Sequence, residues 1–160
     1  MLLQLNLRDF VIVDEMHLDF ESGFSALTGE TGAGKSILID AIALILGGRT
    51  DTSFIRANKE KTILNAEFSI PVSLKEFLAE NDLENADEPD ILLIRRVIEQ
   101  SGKSRAYVNG TSVPLATLKN IGEFLVDIHG QHAHQSLLKP QIQRELLDSE
   151  AGLDLSLIHI

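Results

Sequence analysis

The sequence predicts an α/β fold in which a phosphate-binding strand–loop–helix unit is attached to an antiparallel β-sheet, and three observations predict it. First, residues 29–36, GETGAGKS, match the pattern G-x-x-x-x-G-K-[ST] at every fixed position. Second, apolar runs at residues 24–28 and 37–46 flank this segment and are typical of a strand and a buried helix. Third, strand-like alternation occurs on both sides of the unit, whereas a doubly wound sheet would alternate strands and helices throughout.

The glycine-rich segment predicts a P-loop that binds a nucleoside triphosphate. Successive backbone amides of such a loop point at the phosphates, and the dipole of the following helix adds partial positive charge. Lys35 is expected to reach the β- and γ-phosphates, and the Ser36 hydroxyl to bind Mg²⁺. A glycine-rich turn that only caps a core helix is the alternative. The predicted nucleotide-binding residues are Gly29, Glu30, Thr31, Gly32, Ala33, Gly34, Lys35 and Ser36.

A second glycine–lysine–serine triplet, residues 102–104, is not predicted to bind a nucleotide. Val97 stands where the first glycine of the pattern would be, and strand-like runs lie on both sides of the triplet. The triplet therefore predicts a hairpin turn. Four basic residues could gather around this hairpin as a local basic face, but solvent-exposed charges on the strands are the favoured interpretation. They are Arg95, Arg96, Lys103 and Arg105.

Each remaining element is predicted from its local pattern. Five segments are predicted to be strands, because apolar and polar residues alternate or apolar residues dominate: residues 3–7, 16–20, 64–70, 91–98 and 105–109. A capping box, Ser73 to Glu76, predicts a short helix start. Residues 84–90 are acidic and contain Pro89, so they predict a loop. A helix at 115–124, a short buried strand at 125–128 and a last helix from Pro140 to about residue 149 complete the prediction.

Composition narrows the class of protein. The chain has 160 residues, of which 44% are hydrophobic, so we expect one globular domain. It has no cysteine, which excludes disulfides and thiolate metal sites and fits a reducing cytosol. The net charge of −10 argues against a domain whose main surface binds DNA, because the DNA phosphates favour clustered Lys and Arg. The N-terminus lacks a basic leader and the longest apolar run is about half a membrane span, so we expect neither a secretion signal nor a membrane anchor.

Four segments resemble the RecN family of bacterial DNA-repair ATPases, which are related to SMC proteins. They are LNLRDF at residues 5–10, GETGAGKS at 29–36, SRAYVNG at 104–110 and DIHGQH at 127–132. They occur in the family's order, and the resemblance runs from residue 1 to about residue 152. It implies the N-terminal lobe of an ABC-type ATPase head, which carries a phosphate loop and a glutamine loop.

The resemblance also implies what acts with this lobe. A long coiled coil and a C-terminal lobe with the signature motif, the Walker B aspartate and the catalytic glutamate would follow. Two heads would sandwich two ATP molecules with Mg²⁺, coupling nucleotide state to DNA at double-strand breaks in the cytoplasm and nucleoid. Because those parts are absent here, the chain by itself is expected to bind ATP without hydrolysing it.

The same resemblance implies roles for three residues outside the nucleotide-binding amides. Lys35 and Gln131 would be catalytic, with Gln131 contacting Mg²⁺ and the attacking water; Gln135 is the less favoured glutamine. Arg8, taken to lie at a strand end, would contact the nucleotide near its base, and an exposed strand-end charge is an equal alternative.

Three further interpretations stay open, two of them of the C-terminal region and one of the whole chain. His129, His132 and His134 form H-x-x-H-x-H, which could hold a metal, although structural histidines are favoured. Residues 127–131 also fit D-x-x-G-Q of a small GTPase, with Gln131 orienting water, but no N-K-x-D motif follows. A non-catalytic nucleotide-binding module is the third.

The predicted domain comprises residues 1–152. Residues 153–160 depart from the family, and LSLIHI at 155–160 reads like the translation of a widely used transposase sequencing adapter. We therefore expect these last residues to be a non-native tail from a truncated reading frame, with a genuine apolar tail as the alternative.

Overall fold

The computed structural model describes residues 1–23, 26 and 34–126. Within them, three α-helices and six strands follow one another along the chain, together with one 3₁₀ turn at Thr52–Phe54. The helices are α1 (Lys35–Ile45), α2 (Val72–Glu80) and α3 (Leu115–Leu125). The strands are β1 (Leu2–Phe10), β2 (Val13–Asp19), β3 (Lys61–Ser69), β4 (Ile91–Glu99), β5 (Ser104–Val108) and β6 (Thr111–Val113).

The strands form one antiparallel sheet in the order β2-β1-β3-β4-β5-β6. Tight turns join β1 to β2, β4 to β5 and β5 to β6. Asn109 and Gly110, between β5 and β6, both have positive φ, at 48° and 83°. Two consecutive residues in this conformation are typical of a hairpin turn whose twist matches that of the strands.

The core lies between one face of the sheet and the three helices. Helix α1 lies against β3 and β4, α3 lies against β5, and α2 packs against α3. Alternate strand residues point into this core, as the period of a strand requires. The buried sheet residues include Leu5, Leu7, Leu64, Ala66, Phe68, Leu92, Ile94, Ile98, Ala106 and Val108. We call this the inner face, and the opposite face of the sheet the outer face.

Helix α1 is buried on one side rather than all round. Leu38, Ala41, Leu44 and Ile45 are buried, whereas Ile39 is 56% exposed. The prediction that residues 37–46 form a buried helix is therefore confirmed for the helix and for the side that faces the sheet, whereas the side that carries Ile39 is exposed. None of the helices in the described part of the chain is long and apolar enough to span a membrane.

The strands predicted at residues 3–7, 16–20, 64–70, 91–98 and 105–109 and the loop at 84–90 are confirmed. The hairpin turn predicted at residues 102–104 is confirmed too, except that Ser104 is already the first residue of β5. Strand β6 was not predicted, because its three residues are too few to show a period. Predictions for residues 24–25, 27–28 and 140–149 lie outside the described residues.

Two predicted boundaries are wrong. Helix α2 begins at Val72 with Pro71 as its N-cap, so Ser73 is already helical and does not cap it. Pro71 holds φ at −68° and its carbonyl accepts a hydrogen bond from the Leu74 amide at 3.0 Å, which starts the helix earlier. Leu125 is the last residue of α3 and not the start of a strand.

Candidate nucleotide-binding site

Helix α1 begins directly after Gly34 of the predicted P-loop. Gly34 is the N-cap of α1, and its carbonyl accepts a hydrogen bond from the Leu38 amide at 3.2 Å. Its φ of 143° is one that residues with a side chain rarely adopt, although a Cβ there would meet nothing within 4 Å. The backbone conformation, and not lack of space, therefore accounts for the glycine.

The first turn of α1 has the properties of an anion-binding helix end. No acidic residue lies in this turn, and Gly34 has no side chain to cap it. A helix leaves its first amides without acceptors of its own, and its dipole concentrates positive charge there. Ser36 is exposed in the same turn, so its hydroxyl can reach solvent or a ligand. These donors fit the phosphates of a nucleotide and a Mg²⁺ ion bound to them.

Most of the other predicted site residues lie outside the described part of the chain. Lys35 is the first residue of α1, but its side chain lies outside the description. The remaining predicted residues that lie outside the described part of the chain are Gly29, Glu30, Thr31, Gly32, Ala33 and Gln131. Asp127, Gln135 and the three histidines lie outside it as well. Among the described residues, no cluster of three or more His, Cys, Asp or Glu could hold a metal.

The C-terminal end of α1 closes in a Schellman motif. Gly48 donates its amide to the Ala43 carbonyl at 2.8 Å, and Gly47 donates to the Leu44 carbonyl at 3.1 Å. Gly47 has a φ of 94°, the left-handed conformation that this motif requires. The predicted end of the helix at Gly47 and Gly48 is confirmed.

Arg96 is fully buried against this end of α1. Its Nη1 donates to the Leu44 carbonyl, and also to the Gly48 carbonyl at 2.8 Å. Its Nε donates to Ser104 Oγ at 3.1 Å. Burial lowers the pKa of Arg96 to about 10, which still leaves the guanidinium protonated at neutral pH. A cation therefore lies at the negative end of the α1 dipole, where the last turn of the helix itself has no basic residue.

The predicted grouping of Arg96 with the exposed basic residues of the hairpin is thus wrong. Arg96 is an even-numbered residue of β4 like Leu92, Ile94 and Ile98, and alternate residues of a strand lie on the same side, so it points to the inner face. That alternation was the signal in the sequence that could have located it. The other three, Arg95, Lys103 and Arg105, are exposed as the favoured interpretation predicted, and Arg105 Nη2 pairs with Glu99 Oε1 at 2.6 Å.

Arg8 is exposed on the outer face, opposite Glu15 of β2 and Ile63 of β3. It lines a surface cavity of about 560 Å³ together with His17 and Arg95. Strand β1 continues to Phe10, so the prediction that Arg8 lies at the strand end is wrong. Its contact with a nucleotide base stays a prediction.

The turn between β1 and β2 has strained backbone held by residues 54–59. Asp9 and Val11 have positive φ, at 54° and 51°, which is rare for a β-branched residue such as Val11. The Val11 amide donates to the Phe54 carbonyl and the Arg56 amide to the Asp9 carbonyl, both at 2.9 Å. Asp9 Oδ1 lies 2.9 Å from Lys59 Nζ, and this contact lowers the pKa of the Asp9 carboxyl below its usual range.

Known protein sequences similar to this chain share most of its length. The AAA domain family matches residues 4–153. The DNA repair protein RecN of Vibrio cholerae serotype O1 is 44% identical over 154 residues, and RecN of Bacillus subtilis is 42% identical over 156 residues. These alignments cover 95% and 96% of this chain but 27% of each relative. The chain therefore spans about a quarter of the length of the curated relatives it matches.

Solved structures of ATPase heads share the fold. A structure from work on the ATP-driven dimerization and DNA-stimulated activation of SMC ATPases has a TM-score of 0.64 and 22% identity, covering 93% of this chain and 98% of that chain. The Smc head domain of Pyrococcus furiosus, bound to the C-terminal domain of ScpA, has a TM-score of 0.67 and 23% identity over 94% of this chain and 42% of that chain. The structure of the recombination mediator protein RecF with ATP has a TM-score of 0.62 and 19% identity, covering 95% of this chain and 38% of that chain.

The structural likeness confirms the predicted fold class, an α/β P-loop ATPase head whose N-terminal lobe carries an antiparallel sheet. The chain belongs to the AAA domain family, and its recognition from the sequence as similar to the N-terminal ATPase-head segment of RecN is confirmed.

Proposed function

We propose that this chain is the ATP-binding N-terminal lobe of a RecN-like ATPase head. The observation that supports it most directly is the start of α1. A complete P-loop sequence leads into a helix that no side chain caps, and Ser36 is exposed in its first turn. The similarity to RecN along most of the chain supports the same function.

Phosphoryl transfer is mainly a problem of positioning the phosphates and neutralising their charge. In this proposal the amides of Gly32, Ala33 and Gly34 bind phosphate oxygens, and Lys35 places a cation at the β- and γ-phosphates. Ser36 would hold Mg²⁺, which would supply charge neutralisation at the phosphates. Gln131 would be a second residue for the metal and would orient the attacking water.

We further propose that hydrolysis requires groups from outside this chain. In this proposal the signature motif, the Walker B aspartate and the general base belong to a C-terminal lobe, and the signature donors come from a second head. Residues 1–152 form the lobe in this proposal, and residues 153–160 are the non-native tail.

The relatives' name supports a role in DNA repair. We propose that the intact protein acts on double-strand breaks during recombinational repair, as a homodimer of heads in the cytoplasm and at the nucleoid. With a net charge of −10, the lobe itself is expected to contribute ATP-dependent head engagement more than general affinity for DNA.

The proposal is tested by titrating Mg-ATP into the chain and into Lys35→Ala by calorimetry. The variant lacks the charge-assisted contact to phosphate and is expected to lose most of the affinity, about tenfold or more. Lys103→Ala is the matched control, because Lys103 lies in the other glycine–lysine–serine triplet, on the β4–β5 turn. Unchanged affinity of Lys35→Ala contradicts the site, and a clear preference for GTP in a parallel titration contradicts an ATPase head.

A further inference from the structure

Arg96 joins the sheet to the far end of the helix that begins at the P-loop. Through Nη1 it bonds the Leu44 carbonyl inside the last turn of α1 and the Gly48 carbonyl after that turn, so it spans the Schellman motif. Ser104, on β5, holds the guanidinium through Nε. One side chain thus connects β4, β5 and the C-terminal end of α1.

The surroundings leave little room for this helix end to move. A Cβ on Gly122 of α3 would lie 2.9 Å from the Leu46 carbonyl oxygen, and a Cβ on Gly47 would lie 3.0 Å from the Lys119 backbone. The end of α1 is therefore enclosed by α3 on one side and by Arg96 on another.

Stability by itself is a weak reason for such a residue. Removing a guanidinium from water is costly, and the hydrogen bonds of Arg96 offset only part of that cost because its Nη2 has no partner among the described residues. A cation on the last carbonyls of a helix does two other things: it complements the helix dipole, and it fixes where those carbonyls lie. Both effects act on α1, whose first turn carries Gly34, Lys35 and Ser36.

We propose that Arg96 is a positioning residue for nucleotide binding, fixing α1 against the sheet so that the first turn of α1 is held in place for phosphate. An 11-residue helix is about 16 Å long and behaves as a short rod, so freedom at its C-terminal end becomes misplacement at its N-terminal end. The proposal rests on the proposed ATP site, but the link between Arg96 and the helix end can be measured separately.

The test compares Arg96→Met and Arg96→Lys with Arg95→Met and Arg95→Lys as matched controls. Arg95 is the adjacent residue on β4, exposed on the outer face, and its side chain makes no hydrogen bond or ion pair among the described residues. Three measurements are made on each variant chain: thermal unfolding, hydrogen exchange of the amides of Leu46, Gly47 and Gly48, and Mg-ATP affinity.

Arg96→Met is expected to unfold at a lower temperature, because the Gly48 carbonyl and the Ser104 hydroxyl lose their donor. At temperatures where it is fully folded, it is expected to exchange these amides about tenfold faster or more and to bind ATP about tenfold more weakly. Arg96→Lys keeps the charge but not the planar fork, so intermediate values are expected. The Arg95 variants should match the wild type in all three measurements.

Equal exchange and equal ATP affinity in Arg96→Met and the wild type would overturn the proposal, as would equal losses in the Arg95 variants. If Arg96→Met fails to fold, Arg96→Lys decides: wild-type exchange and affinity there would overturn the proposal, because the bonds of the guanidinium fork would then not be needed to fix the helix end. If the wild-type chain binds no ATP, the proposed function fails, positioning for nucleotide binding is refuted with it, and the exchange rates decide the helix contact alone.

Discussion

Asp9 combines a left-handed backbone conformation with an ionic contact. Its φ is 54°, its side chain is 16% exposed, and its Oδ1 lies 2.9 Å from Lys59 Nζ. Asp14 lies near the same ammonium, at 3.9 Å, and also pairs with Arg56. Charged side chains therefore hold the strained backbone of the β1–β2 turn, and the stability of this turn should depend on pH.

Asp9→Asn tests that dependence, because asparagine also tolerates positive φ and so the change removes mainly the charge. A carboxyl whose pKa is lowered on folding stabilises the protein above its unfolded pKa, and this contribution is lost as the pH falls through the lower folded value. The wild type is therefore expected to be more stable than Asp9→Asn at pH 6. The gap between their urea midpoints should shrink between about pH 5 and pH 2.

Asp51, whose pKa is lowered by the Ser53 backbone amide, is present in both proteins and cancels from this comparison. Asp87→Asn is the control, since the Asp87 carboxylate has no hydrogen bond or ion pair within the described part of the chain. A gap for Asp9→Asn that is unchanged with pH would show that the Lys59 contact does not stabilise the turn.

At the scale of elements, the packing of α1 on α3 depends on a close backbone approach. Gly122 is buried in α3 directly beside the Leu46 carbonyl oxygen. Because that neighbour is backbone rather than the end of a flexible side chain, it cannot give way by rotating. Glycine is thus retained inside a helix at a position where its propensity is unfavourable.

The change Gly122→Ala has two effects of opposite sign on the free energy of unfolding. Helix propensity favours alanine by about 1 kcal/mol, whereas overpacking of a tight core contact costs about 1–3 kcal/mol. We expect the contact to prevail and the free energy of unfolding to fall by up to about 2 kcal/mol, measured by urea denaturation. Asn120→Ala, at an exposed position of the same helix, should instead raise it by a few tenths of a kcal/mol. A Gly122→Ala protein more stable than the wild type would mean that α1 and α3 can separate freely.

At the scale of the whole molecule, the chain matches one part of much longer relatives. It spans 27% of RecN from Vibrio cholerae, yet this part includes the P-loop sequence and the sheet that supports α1. In the proposed mechanism the phosphates are bound here, while the general base and signature donors come from elsewhere. Binding and turnover should therefore be separable.

The isolated chain is expected to show negligible turnover even with Mg-ATP in excess. Phosphate release is measured against Lys35→Ala, which controls for contaminating ATPases and for uncatalysed hydrolysis. Release by the wild-type chain clearly above that of the variant would show that a complete set of catalytic groups is present.

The sequence by itself determined the features that depend on local pattern. Alternation of period two, or a short strand-like run beside a turn, predicted five of the six described strands, because each residue's side of a strand follows from its position. The P-loop motif and Gly47 and Gly48 predicted where α1 lies, since glycine meets backbone requirements that other residues resist. The four motif segments were enough to recognise the family.

Only the tertiary structure decided the features that join distant parts of the chain. Arg96 bonds a carbonyl 52 residues earlier in the chain, so no local pattern could name its partner. Likewise, β1 lies between β2 and β3 although some 50 residues separate β1 from β3, and this order follows from burying apolar faces together. Local chemistry predicts the elements, whereas non-local burial decides which side chains hold them in place.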